Sequence, residues 1–174
     1  MLRKYSEGLH VRMTEAGAQA PSADVIEYAL KIIINTVFIA TMTLVLGLIT
    51  GEPGATMVVI VSFAILRLAT GGYHLTSNVG CIVGSTIVLT LIPHIHFSDS
   101  WTLGFTLFAL VMVAIFAPSN FDKYAWIKKR HYPILKVIGM ALVASNLWIQ
   151  SDLFALTFAV QTLLLPFKEG GEEE

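Results

Sequence analysis

VIEYALKIIINTVFIATMTLVLGLIT, residues 25–50, is a run whose only charges, Glu27 and Lys31, stand near its start. A helix needs about 20 consecutive apolar residues to cross the hydrocarbon core of a bilayer. This run exceeds that length, and further apolar runs follow at roughly 55–70, 79–93, 101–117, 134–150 and 153–167. Gly51-Glu52-Pro53-Gly54, a Gly-Gly loop, Pro93 to Ser100, a polar stretch and Gln150-Ser151-Asp152 separate them. The whole chain has the same bias, with 55% hydrophobic residues, 13% charged and a mean hydropathy of +0.72. That exceeds what a soluble domain needs for its core. We therefore read an all-α integral membrane protein with about six transmembrane helices, in a single membrane-embedded domain over 1–174. Several runs are shorter than a perpendicular crossing requires, so local thinning or polar flanks inside the bilayer are expected. The last two could form a tight helical hairpin that stops short of a full crossing.

Outside these runs, Met1 to Pro21 sets Arg3, Lys4, Glu7, Arg12 and Glu15 among spaced apolar residues. That pattern predicts an amphipathic helix on the membrane surface over 1–21 rather than a cleaved leader. Residues 168–174, with Glu169, Glu172, Glu173 and Glu174, read as an acidic disordered tail. The cations alternate along the chain. Arg3, Lys4, Arg12 and Lys31 precede or open the first run, Arg67 closes the second, Lys123, Lys128, Lys129, Arg130 and Lys136 lie between the fourth and fifth, and Lys168 follows the sixth. The opposite set of connections carries Glu52, His94, His96, Asp99 and Asp152 and no Lys or Arg. The positive-inside rule then predicts a multi-pass protein of the cell membrane with both termini and the Gly-Gly loop facing the cytoplasm.

That loop holds the chemistry. It reads Arg67-Leu68-Ala69-Thr70-Gly71-Gly72-Tyr73-His74-Leu75-Thr76-Ser77-Asn78-Val79-Gly80-Cys81, and Cys81 is the only cysteine in the chain. A single cysteine excludes an intrachain disulfide. A thiol is a strong nucleophile only as thiolate, and a neighbouring imidazole is the usual means of producing one. Gly71 and Gly72 can take positive φ, end the preceding helix and leave room beside it for a substrate chain. Ser77 or Asn78 can cap the next helix, which puts Cys81 in about its first turn, where the helix end favours negative charge. Seven residues along a continuous helix span about 10 Å, so His74 must come from non-helical chain folded over the helix end. His74 and Cys81 are the candidate catalytic pair.

The pattern Arg-x-x-x-Gly-Gly-Tyr-His with a cysteine seven residues later resembles the signature of the AgrB family, the accessory gene regulator B proteins of Gram-positive bacteria. Six spans, a basic connection between the fourth and fifth, Ala117-Pro118 and Tyr132-Pro133-Ile134 add to the likeness, which covers roughly residues 30–140. The loop from Asn120 to His131 departs from it in being aromatic, with Phe121, Tyr124 and Trp126.

The resemblance implies a membrane cysteine endopeptidase that processes an AgrD-type quorum-sensing propeptide. His74 would be the general base and Cys81 the nucleophile, forming a thioester that an internal cysteine or serine displaces to close a thiolactone or lactone. Gly71, Gly72, Arg67, Lys128, Lys129 and Arg130 are the candidate substrate-binding residues, Arg67 for an acidic group and the basic trio for an acidic released tail. Backbone N–H groups at the start of the Cys81 helix are the donors on offer for the oxyanion. Expected partners are the propeptide, membrane lipid and, since six spans suit paired sites, a second copy of the chain; no nucleic acid, metal or cofactor is expected. His94, His96 and Asp99 could together hold a metal, yet two histidines two apart in a turn are usually solvent-facing. Ser145 and Asn146 are expected to hydrogen-bond between helices. The alternative is a small membrane transporter or peptide exporter without covalent chemistry, for which the spans lack a carboxylate pair to mark ion coupling.

Overall fold

The computed structural model describes residues 2–73, 77–121 and 129–167. His74, Lys123, Tyr124, Trp126, Lys128, Lys168 and the acidic tail lie outside the described residues. The described chain is a helical bundle: α1 Leu2–Glu15, α2 Ala23–Ile49, α3 Pro53–Thr70, α4 Asn78–Leu91, α5 Asp99–Phe116, α6 Tyr132–Ile149 and α7 Asp152–Thr162. Single 3₁₀ turns at Ile92–His94 and Lys129–His131 extend α4 and precede α6. Among the described residues there is no strand, only an isolated bridge between Gly71 and Ser119. The fold is all-α and of membrane type.

Local chemistry sets the boundaries. Pro53 opens α3, where its missing N–H is no loss. Ser77 caps α4 by accepting from the Gly80 N–H at 3.2 Å, which settles the choice between Ser77 and Asn78. Ser151 caps α7 in the same way through Phe154. The predicted surface segment is helical over Leu2–Glu15 and packs on α2 with Ser6 fully buried, while Gly17 turns the chain at φ 78°.

The apolar residues point outward as well as inward. Leu68, Ile49 and Trp148 are at least three-quarters or nearly so exposed, at 75, 74 and 85%, which suits lipid as solvent. Inside, small residues and threonines allow close approach. Gly47 faces Thr56, and Gly139 leaves only 2.7 Å between an added Cβ and the Thr70 methyl. Most buried threonines return their hydroxyl to the carbonyl four residues back, as Thr70 does to Leu66 and Thr106 to Thr102. One apolar cluster joins Leu66, Val113, Val143 and Phe158 from α3, α5, α6 and α7. A second joins Val59 and Leu89 with Ile39 and Leu156.

The connections gather at two opposite ends. At one, His94 bonds Thr50 at 3.1 Å and His96 bonds Asp152 at 2.9 Å. At the other, Ser119 N–H donates to Thr70 at 3.0 Å, Tyr73 N–H to Leu164 at 3.0 Å and the Asn120 amide to Phe167 at 2.9 Å. This is the segregation that an alternating up-and-down chain requires, and it keeps Arg67 apart from the histidine loops.

Four segments are long and apolar enough to cross a membrane: Ala23–Ile49, Pro53–Thr70, Asp99–Phe116 and Lys129–Ile149. α4 with its 3₁₀ turn is shorter, and α7 has 11 residues, about 17 Å. Gln150 and Ser151 alone join α6 to α7, yet α7 packs chiefly against α5 and α3. Ala155, Thr157, Phe158, Ala159, Gln161 and Thr162 are all buried, so both sides of this short helix face protein. Ser145 departs from expectation. Its hydroxyl bonds Leu142 within its own helix, and Asn146 alone makes the interhelical bond, to Thr106 at 2.9 Å.

Candidate active site

Cys81 occupies the first turns of α4 because Ser77 starts the helix four residues earlier. Its side chain is buried, at 8% exposure. The Gly80 N–H goes to the Ser77 hydroxyl and the Cys81 N–H to the Ser77 carbonyl at 2.9 Å. The two backbone donors nearest the thiol are therefore already engaged. The chain before α4 is described as far as Tyr73, the residue preceding His74, and Tyr73 and Cys81 line one cavity.

The approach to that cavity is held by polar contacts that span the sequence. Arg67, in the last turn of α3, donates to the Tyr73 carbonyl at 2.8 Å and to the Gln161 Oε1 at 3.2 Å. Gln161, fully buried on α7, donates in turn to the Gly71 carbonyl at 2.8 Å. Gly71 ends α3 at φ 72° and Gly72 continues at φ 135°, the left-handed geometry predicted for this pair. The space beside Gly71 is taken by the protein itself, since a Cβ there would collide with the Ser119 carbonyl. Gln161 escaped the sequence reading: an amide in the 153–167 run was a visible signal, but nothing local linked it to an arginine 94 residues away.

The cavity measures about 110 Å³. Asn35 and Thr36 of α2, Ala64 and Arg67 of α3, and Cys81 and Ser85 of α4 border it, and Phe63, Leu89 and Leu164 give it an apolar lining. The Cys81 thiol therefore lies in a largely apolar wall. Arg67 thus reaches both the cavity and the loop.

The remaining predicted positions lie elsewhere. Lys129 and Arg130 form the turn before α6, with Arg130 bonded to His131 at 3.2 Å. They share the Gly71 end of the bundle, since Phe121 touches both the Gly71 region and the Tyr132 ring, but they do not border the cavity. His94 and His96 turn to different partners, Thr50 and Asp152. Among the described residues no group of three metal-ligating side chains assembles.

A family model, AgrB, accessory gene regulator B, matches residues 13–165, which takes in α2 to α7 and the whole cavity. The chain belongs to the AgrB family. A relative from Halalkalibacterium halodurans whose name calls it AgrB-like is 29% identical over 83 residues, covering 48% of this chain and 42% of its own. Another so named, from Listeria monocytogenes serotype 4a, is 29% identical over 115 residues, covering 64% of this chain and 56% of its own. The chain spans about half the length of these curated relatives. No solved structure matches it. AgrB proteins work in agr quorum sensing with AgrD propeptides.

Proposed function

We propose that this chain is a membrane cysteine endopeptidase that removes the C-terminal tail of an AgrD-type propeptide and promotes its cyclisation. The observation that carries the reading is the buried Cys81 thiol at the start of α4, in a cavity also bordered by Tyr73, in a chain of the AgrB family. His74 takes the thiol proton, and the thiolate adds to the scissile carbonyl carbon. When the adduct collapses, the C–N bond breaks, the leaving nitrogen receives that proton and the acyl group remains on Cys81 as a thioester. A cysteine or serine side chain of the peptide then attacks the thioester, releasing the Cys81 thiol and closing the ring. Thioester exchange conserves acyl activation that hydrolysis would dissipate, and the apolar lining of the cavity supports the exclusion of water this needs.

The alternation of cations along the chain then sets both termini and the Gly-Gly loop at the cytoplasmic face. Arg67 and Gly71 act through the shape of the loop, and Lys128, Lys129 and Arg130 attract the acidic end of the substrate and lipid phosphate. The test compares the native chain with Cys81→Ala and His74→Ala in membranes containing an AgrD-type propeptide, with released tail measured by mass spectrometry. Both variants are expected to release none, and a chelator is expected to leave the native rate unchanged. Tail release by Cys81→Ala at the native rate would overturn the proposal.

A further inference from the structure

The geometry points to Asn35 as the side chain that binds the oxyanion formed when Cys81 attacks its substrate, an assignment that rests on the peptidase reading above. Three amides lie within the apolar helices α2, α6 and α7: Asn35, Asn146 and Gln161. Asn146 bonds Thr106 and Ser151, and Gln161 bonds Arg67 and Gly71. Asn35 is half-buried in α2, borders the Cys81 cavity and makes no hydrogen bond to any described residue. An amide carried into an apolar setting without a partner is costly, and polar side chains kept in such segments tend to be functional.

Depth places the two residues together. The Thr50–His94 bond ties the far end of α2 to the far end of α4. Asn35 is fifteen residues before Thr50, and Cys81 is thirteen before His94, three of them in the wider-pitched 3₁₀ turn. Helical rise puts each about 22 Å from that bond, so the amide and thiol stand at one level of the cavity.

The other donors nearby are occupied or lie deeper in the cavity. The N–H groups of Gly80 and Cys81 are already donated to Ser77. Arg67 is engaged with Tyr73 and Gln161. Ser85 borders the cavity one turn deeper along α4 than Cys81. As the thiolate adds, the carbonyl π pair moves onto oxygen, and an Nδ2–H of Asn35 donates to it; on collapse the pair returns and the leaving nitrogen departs protonated. A neutral amide performs this at any pH, and an apolar surround strengthens the bond.

Asn35→Leu tests this, since leucine keeps the bulk, removes the donor and suits an apolar helix. The turnover number for an AgrD-type propeptide is expected to fall about a hundredfold with KM within about threefold. Alkylation of Cys81 by iodoacetamide, which displaces halide without forming an oxyanion, should proceed at the native rate, and Asn35→Gln should recover part of the loss. A fall of less than tenfold, or alkylation that falls in step with cleavage, would overturn the assignment. Cys81→Ala run alongside separates the two claims. If it still cleaves, the peptidase reading fails and this with it; if it is inert while Asn35→Leu stays fully active, only the Asn35 assignment fails.

Discussion

Where α5, α6 and α7 meet, Asn146 donates to Thr106 and Ser151 and accepts the Ser151 N–H at 3.0 Å. Where α2 and α4 meet, the pattern reverses. The fully buried hydroxyls of Thr43 and Thr86 have no partner among the described residues, and those helices also carry Asn35, Ser85 and Cys81 into the cavity. Both regions draw on the same few residue types. One spends its polar groups on itself, and the other holds them open. Unmet hydrogen-bonding capacity beside a thiol is what the proposed peptide substrate would use, so the contrast sets the part that stabilises the bundle against the proposed site.

Substitutions can break that contrast. Gly71→Ala should have the largest effect, a loss of at least about 2 kcal/mol in detergent unfolding experiments, because alanine disfavours positive φ and its Cβ meets the Ser119 carbonyl. Gly84→Ala, in α4 with nothing within 4 Å of the added carbon, should instead gain up to about 1 kcal/mol. Equal effects at the two glycines would erase the distinction. Asn146→Leu should cost about 1–2 kcal/mol of stability in the same assay and leave the turnover number unchanged, the reverse of Asn35→Leu. Thr43→Val should be neutral or stabilising by up to about 1 kcal/mol, since it deletes a buried hydroxyl that has no partner. A loss above that would mean the hydroxyl is used. His96→Ala should be the smallest, within about 1 kcal/mol, because the His96–Asp152 contact is solvent-exposed on the histidine side.

Much of the fold was legible because lipid and backbone impose local rules. The apolar runs at 25–50, 55–70 and 101–117 correspond to α2, α3 and α5 within two residues at each end, and Gly71, Gly72 and Ser77 behave as their chemistry dictates. What was not legible depends on distant partners. α7 reads in sequence as half of a hairpin, yet its place is decided by Thr157, Phe158 and Gln161 finding α3 and α5. Ser145 and Asn146 look alike as polar interruptions, and only the helix rotation decides which one faces Thr106. Asn35 carried a readable signal, an amide deep in the first run, but its relation to Cys81 needs the Thr50–His94 bond to set the depth of one helix against the other.

The central claim is that Cys81 carries the acyl group. Intact-protein mass spectrometry of the native chain mixed with an AgrD-type propeptide and quenched during turnover tests it most directly. The account predicts an adduct equal in mass to the propeptide without its tail less one water, mapped to Cys81, released by hydroxylamine and absent from Cys81→Ala. Tail release with no adduct, continuing undiminished in Cys81→Ala, would contradict it.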